Sequence, residues 1–364
     1  MRLLTMLALL LAGLALPAAA GAAPRTVPQG WLGVTVDGPV APGDDGEWDR
    51  MPSAGVESVR VAFRWSQLHP VEGAPFDFAV TDAVVAAAAA RGLRVLPVVQ
   101  EPPAWAAVHP GDPASPPRDP EAVRAVFSAL VDRYGPQGRF WQERPDLPRL
   151  PIRAWQVFNE PSMTRFWSEQ PFAARYVATL RGAADGVRSA DPGAKVILAG
   201  LTNFSWKDLK RLYAAGAGGL FDAVAVHPYS RKPIYVLRII RNVRRTMDRA
   251  GDRSVPIWLT EFSWAGAKGL ADEHDLFDAT PRQQARRLDT FMRLLTAARR
   301  ELKIARAYWY TWLSVEGRGE FDYAGLRRVR DERRVAAPVL RAFTRWARKL
   351  QGCVKAPGDA RRCA

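Results

Sequence analysis

Between residues 31 and 309, short apolar runs of strand length recur eight times, and most are followed by a helix-length segment. The runs fall at 31–36, 58–63, 94–99, from 154, 195–199, 223–226, 255–259 and 304–309. Helices are expected over 77–91, up to 134, and over 172–189, 207–214, 233–250, 280–302 and 335–350, whereas 37–45 reads as a loop rich in Pro, Gly and Asp. Near-continuous apolar strands separated by helices suit a parallel sheet buried on both faces, and eight such units suit a closed (β/α)8 TIM barrel. A doubly wound sheet carries a glycine-rich phosphate turn after its first strand, and the segment from Gly30 to Val34 does not have that form. At 364 residues and 48% hydrophobic composition, one large barrel uses the chain fully.

In a barrel the functional side chains gather where the strands end, because all eight C-terminal ends open on one mouth. Two glutamates hold such positions. Ala154, Trp155, Gln156, Val157 and Phe158 lead to Asn159 and Glu160, and Pro161 removes the backbone donor that a continuing central strand would need. The run 255–259 leads through Thr260 to Glu261. Facing carboxylates of this kind can break a glycosidic bond, one protonating the leaving oxygen while the other attacks or activates water. Other polar residues at strand ends are Arg60, Arg64, Glu101, His227 and Tyr229. Trp65, Trp105, Trp206, Trp264, Trp309 and Trp312 lie on or just after strand ends; their flat faces can stack on sugar rings or simply pack the core.

The motifs resemble the glycoside hydrolase clan of (β/α)8 retaining enzymes. Those carrying the resemblance are Val157 to Pro161, His227 to Tyr229, Leu259 to Trp264 and Tyr308 to Trp312, supported by Val59 to Ser66 and Pro97 to Trp105. The chain is most similar to the family 39 and family 5 (cellulase-like) members. The resemblance implies Glu160 as acid/base with a raised pKa and Glu261 as an ionised nucleophile. Arg60 and the Tyr229 hydroxyl would stabilise Glu261, Asn159 would bind the sugar 2-hydroxyl, His227 would bond near the acid/base, and Trp309 would floor the central subsite. Trp105 and Trp264 are candidate sugar platforms; Glu101 either binds substrate hydroxyls or is an idle loop residue. The implied substrate is a polysaccharide or oligosaccharide, with no cofactor and no metal. The other reading is a catalytically idle glycan-binding barrel of the cell envelope.

Residues 1–23 combine a basic start at Arg2, an apolar run from Leu3 to Leu16 and small residues suited to cleavage after Ala20, Ala22 or Ala23. These are the three regions of a secretory signal peptide, and the apolar run is short for a membrane span. The expected organisation is therefore a leader, a barrel over 24–350 and a tail over 351–364, in a secreted, periplasmic or envelope protein without stable membrane insertion. Cys353 and Cys363 are the only cysteines, and in an oxidising compartment they are expected to close a terminal disulfide. The acidic loop Asp272, Glu273, His274 and Asp275 reads as solvated rather than metal-binding.

The net charge of +15 is uneven: residues 1–200 carry 19 Lys or Arg against 20 Asp or Glu, and residues 201–364 carry 33 against 17. In the helix expected over 233–250, Arg238, Arg241, Arg245 and Arg249 recur at helical spacing. They form either a solvated face or a surface for an acidic glycan. Nucleic acid is not expected, because no nucleic-acid-reading motif is present.

Overall fold

The structure is a computed structural model that describes residues 24–271, 278–355 and 361–362. The barrel strands are β1 (Leu32–Val36), β2 (Ser58–Arg64), β3 (Arg94–Gln100), β4 (Ala154–Val157), β5 (Lys195–Ile197), β6 (Val224–Val226), β7 (Ile257–Phe262) and β8 (Ile304–Trp309). They are parallel, in the order β5-β4-β3-β2-β1-β8-β7-β6. Parallel bridges Ile197↔Ala223 and Leu201↔Val226 join the two ends. The fold is thus the expected (β/α)8 barrel.

Its helices are α1 (Asp45–Ser53), α2 (Trp65–Leu68), α3 (Ala79–Ala89), α4 (Pro120–Tyr134), α5 (Arg139–Glu143), α6 (Ala173–Ala190), α7 (Ser205–Ala214), α8 (Pro233–Arg249), α9 (Pro281–Ala298) and α10 (Pro338–Leu350). Several starts are written locally. Asp119 caps α4 by accepting from the Glu121 N–H, and Thr280 and Gln283 form a reciprocal capping box at α9; both helices have proline at their first position. Inside the barrel, Leu96, Ile197, Ala223, Ala225, Trp258 and Tyr308 form an apolar layer. Arg60, Gln156 and Thr260 are buried polar side chains farther along β2, β4 and β7.

Three elements differ from the sequence expectation. The loop after β1 turns into α1, whose Glu47 is 1% exposed and accepts from Trp312 Nε1 at 2.9 Å and Arg327 Nε at 2.8 Å. Strand β7 continues through Glu261 instead of ending before it. Residues 335–336 belong to a strand, not to the last helix: β9 (Leu313–Val315), β10 (Arg327–Arg330) and β11 (Arg333–Ala336) make a small separate sheet. The leader and the acidic loop 272–275 lie outside the described residues, as does Cys363, on which the expected disulfide depends. Short strands β12 (Val354–Lys355) and β13 (Arg361–Arg362) pair antiparallel at the chain's end. Among the described residues, no helix is long and apolar enough to cross a membrane.

Candidate active site

The C-terminal strand ends surround a cleft of about 630 Å³, lined in part by Arg60, Asn159, Glu160, Tyr229, Glu261 and Tyr310. Glu261 is held on both sides: Arg60 Nη1 donates to Oε1 at 2.6 Å and the Tyr229 hydroxyl donates to Oε2 at 2.8 Å. Arg60 is itself fixed, giving Nε–H to Gln156 Oε1 at 2.7 Å and Nη2–H to Asn159 Oδ1 at 2.8 Å. Asn159 thus keeps its side-chain NH2 as a donor at the cleft. A guanidinium and a phenol on its two oxygens hold the Glu261 carboxyl in one orientation. Burial first, and then the neighbouring Glu261 charge, push the Tyr229 phenol well above its ordinary range, so it remains a donor.

Glu160 is placed differently. Phe158 and Glu160 have φ of 62° and 40°, and Asn159 between them makes an isolated parallel bridge to Gly200, just past β5. These left-handed conformations cost about 1–3 kcal/mol each for residues with a Cβ, and they turn the Glu160 carboxyl back over the mouth. Its Oε1 meets His227 Nδ1 at 2.7 Å, and His227 Nε2 meets Thr260 Oγ1 at 2.9 Å. Gln156 Nε2 donates to the same Thr260 oxygen at 3.3 Å, leaving the threonine proton for His227 Nε2 and assigning the imidazole proton to Nδ1, towards Glu160. The ring packs against the backbone at Gly200, just past β5: a Cβ there would stand 2.0 Å from His227 Nε2. The second carboxyl oxygen, Oε2, is buried without a hydrogen-bond partner, its nearest cation being Arg165 Nη2 at 3.5 Å.

Burial pushes the Glu160 carboxyl up, but the hydrogen bond from His227 and the charges of Arg165 and Arg60 outweigh it and hold the group below the usual carboxylate range. The raised acid expected from the resemblance is not found, because a bonded imidazole faces the carboxyl.

One atom each of Glu160, His227 and Glu261 lies within 4.8 Å of the other two, the grouping among the described residues with the donors for a metal ion. Its surroundings oppose a cation, since Arg60 and Arg165 already supply positive charge at 2.6 and 3.5 Å.

The remaining candidates divide. Glu101 (φ 57°) lines the cleft and pairs with Arg64 Nε at 2.9 Å. Trp264 lines it too, with Nε1 donating to Ser230 O at 2.7 Å. Trp309 does not line it: the indole is fully buried, donates to Ala324 O at 3.0 Å and packs edge-on to Phe262 at 5.6 Å. Its chain neighbour Tyr310 lines the cleft instead, with its hydroxyl donating to Asp37 at 3.0 Å. Trp105 stands behind the wall, edge-on to Trp65 at 5.8 Å. Of the tryptophans at strand ends, then, most are packing. The cleft's aromatic lining is Phe166, Phe204, Tyr229, Trp264, Tyr310 and Phe321. Sequence reasoning missed Gln156 and Thr260, although both are polar residues inside otherwise apolar strands, and it missed Arg165 and Tyr310, which carry no such signal.

No protein-family model and no curated protein matches the chain. Solved structures do. A family 39 glycoside hydrolase from Bacteroides cellulosilyticus superposes with TM-score 0.66 at 18% identity, over 89% of this chain and 64% of that one. A glucosidase from Croceicoccus marinus gives 0.63 at 17%, over 91% and 69%. The endoglucanase Cel5A from Pseudomonas stutzeri gives 0.58 at 12%, over 87% and 94%. These are barrels of the clan that the motifs resemble, and at such identities the likeness carries the fold.

Proposed function

We propose that this chain is a retaining glycoside hydrolase that cleaves O-glycosidic bonds of an oligosaccharide or polysaccharide by double displacement, and that it acts outside the cytoplasm after removal of residues 1–23. The observation that carries the reading is the unequal pair at the mouth. Glu261 has both oxygens bonded to donors, and Glu160 has one oxygen, Oε2, free to carry a proton; the two lie within 4.8 Å through one oxygen each. That separation favours the retaining arrangement, about 5–5.5 Å, over the inverting one, about 6.5–9.5 Å.

In the first step the Glu261 carboxylate attacks the anomeric carbon as the bond to the leaving sugar breaks, and the proton on Glu160 Oε2 passes to the leaving oxygen. The product is a glycosyl ester on Glu261. In the second step Glu160, now a carboxylate, takes a proton from water as that water displaces Glu261. Asn159 and the partnerless buried oxygens of Thr35 and Ser263 offer hydrogen bonds to sugar hydroxyls.

The test is hydrolysis of a panel of neutral and acidic polysaccharides and aryl glycosides by the wild type, Glu160→Gln and Glu261→Gln, with the first-formed anomer read by proton NMR. Turnover by the wild type with retained configuration supports the reading. Inverted product overturns the double displacement. Equal, negligible turnover by all three moves the chain to the glycan-binding reading.

A further inference from the structure

Helix α8 lies on the outer wall with Val236, Leu237, Ile240, Val243 and Met247 buried. Its other side exposes Arg238, Arg241, Arg245 and Arg249. Their spacing is close to one arginine per helical turn, about 5.4 Å, over a row of roughly 16 Å. Several arginines elsewhere on the molecule are paired with carboxylates: Arg91 with Asp45 and Asp49, Arg133 with Asp82 and Glu143, and Arg144 with Asp146, all at 2.5–2.7 Å. The α8 row has no carboxylate partner among the described residues; Arg245 donates to the neutral Asn242, and Asp248 is taken by Arg244 at 2.9 Å. The packed neighbours α7 and α9 add exposed Lys210, Arg286 and Arg293. At the mouth end of the row, Tyr235 is 40% exposed, with Lys232 Nζ 5.8 Å and Arg238 Cζ 5.1 Å from its ring centre.

We propose that the α8 flank is a docking track for an anionic polysaccharide, whose acidic groups sit along the arginine row and one of whose rings stacks on Tyr235. Unpaired cations once per turn match a polymer with one acidic group per sugar, since the helical pitch is close to the length of one sugar residue in an extended chain. A lipid surface is the poorer match: only Ile234 and Tyr235 are large exposed apolar residues on α8, and both lie at one end, whereas a membrane-lying helix presents an apolar face along its length. The track lies outside the cleft and does not rest on the glycosidase reading.

The experiment is affinity electrophoresis and calorimetry of the full chain with polygalacturonate, its carboxyl-reduced counterpart and inorganic polyphosphate, at several salt concentrations. Glutamine at Arg238, Arg241, Arg245 and Arg249 together is expected to weaken polygalacturonate binding at least ~10-fold at low salt and to lower the salt slope by about 3. Glutamine at the exposed Arg124, Arg139, Arg149 and Arg181 is the charge-matched control and is expected to change binding less than twofold; circular dichroism checks that both variants fold. Tyr235→Ala is expected to weaken polygalacturonate binding ~3–10-fold and leave polyphosphate binding unchanged. Equal loss in both quadruple variants, undiminished binding of the carboxyl-reduced polymer, or tighter binding to anionic vesicles or duplex DNA than to polygalacturonate would overturn the proposal. Binding is read with Glu261→Gln as well as with wild type: a chain that binds but hydrolyses nothing sustains this inference while sinking the glycosidase reading.

Discussion

The ends of β4 and β7 carry the same residue in opposite circumstances. On β7 the backbone stays in the strand through Phe262, and Glu261 meets two donors, a guanidinium and a phenol, that do not surrender their protons near neutrality. On β4 the strand stops at Val157, the backbone enters left-handed conformations, and Glu160 meets a titratable imidazole on one oxygen and no hydrogen-bond partner on the other. Two carboxyls buried to a similar degree, 4% and 8% exposed, are thus given different chemistry by their partners. The first has both oxygens held by donors, and the second keeps one oxygen without a hydrogen-bond partner.

The largest break in this contrast is Glu261→Gln. It removes the attacking oxygen and leaves Arg60 without its anion, so kcat is expected to fall by about 10⁴-fold or more whatever the leaving group, with no glycosyl-enzyme visible by mass spectrometry. Glu160→Gln is expected to cost less and to depend on the leaving group. Loss of general acid assistance should reduce kcat ~10²–10⁴-fold for sugar leaving groups and far less for a nitrophenolate, which departs without a proton. Equal losses on both substrates would reassign Glu160.

His227→Ala sharpens the comparison through pH. With the imidazole gone, burial is opposed only by Arg165 and Arg60, so the Glu160 carboxyl rises. A rising acid stays protonated to higher pH, and the descending limb of kcat/KM should move alkaline, with a rate loss of about 10-fold at the wild-type optimum. An unmoved limb would mean that His227 only packs. The same linkage bears on stability: a carboxyl held below its unfolded value stabilises the fold above that value, and the contribution is lost as pH falls through the folded pKa.

Much of this was legible in the chain, for physical reasons that also mark where legibility stopped. Buried parallel strands must be apolar on both faces, so the eight runs stood out, and the polar Asn159, Glu160 and Glu261 broke them visibly. The β10–β11 hairpin did not stand out, because its turn is Asp331-Glu332, with φ of 46° and 61°, where Asn-Gly is the recognisable signal for such a turn. Trp309 was expected at the mouth, where Tyr310 lines the cleft instead: neighbours on an extended segment point to opposite sides, and composition does not say which faces the mouth. Arg165 was invisible for a related reason. It lies in an irregular loop five residues past Glu160, where no periodicity ties position to direction.

Arg165 supplies the finest adjustment. Its guanidinium is 3.5 Å from Glu160 Oε2 while the side chain is 60% exposed, so solvent weakens a charge that geometry places well. Replacing it with glutamine removes one of the lesser causes holding Glu160 down, after the His227 hydrogen bond. The descending limb should therefore move alkaline by less than in His227→Ala, with kcat at the optimum within about threefold of wild type. Salt separates the two. At ~1 M the Debye length is about 3 Å, so the wild-type and Arg165→Gln profiles should converge there, whereas the His227→Ala shift, made by a buried hydrogen bond, should persist. Persistence of the Arg165 effect at high salt would make that residue a hydrogen-bonding partner of Glu160 in solution, and the β4 carboxyl would then have both oxygens engaged, as Glu261 does.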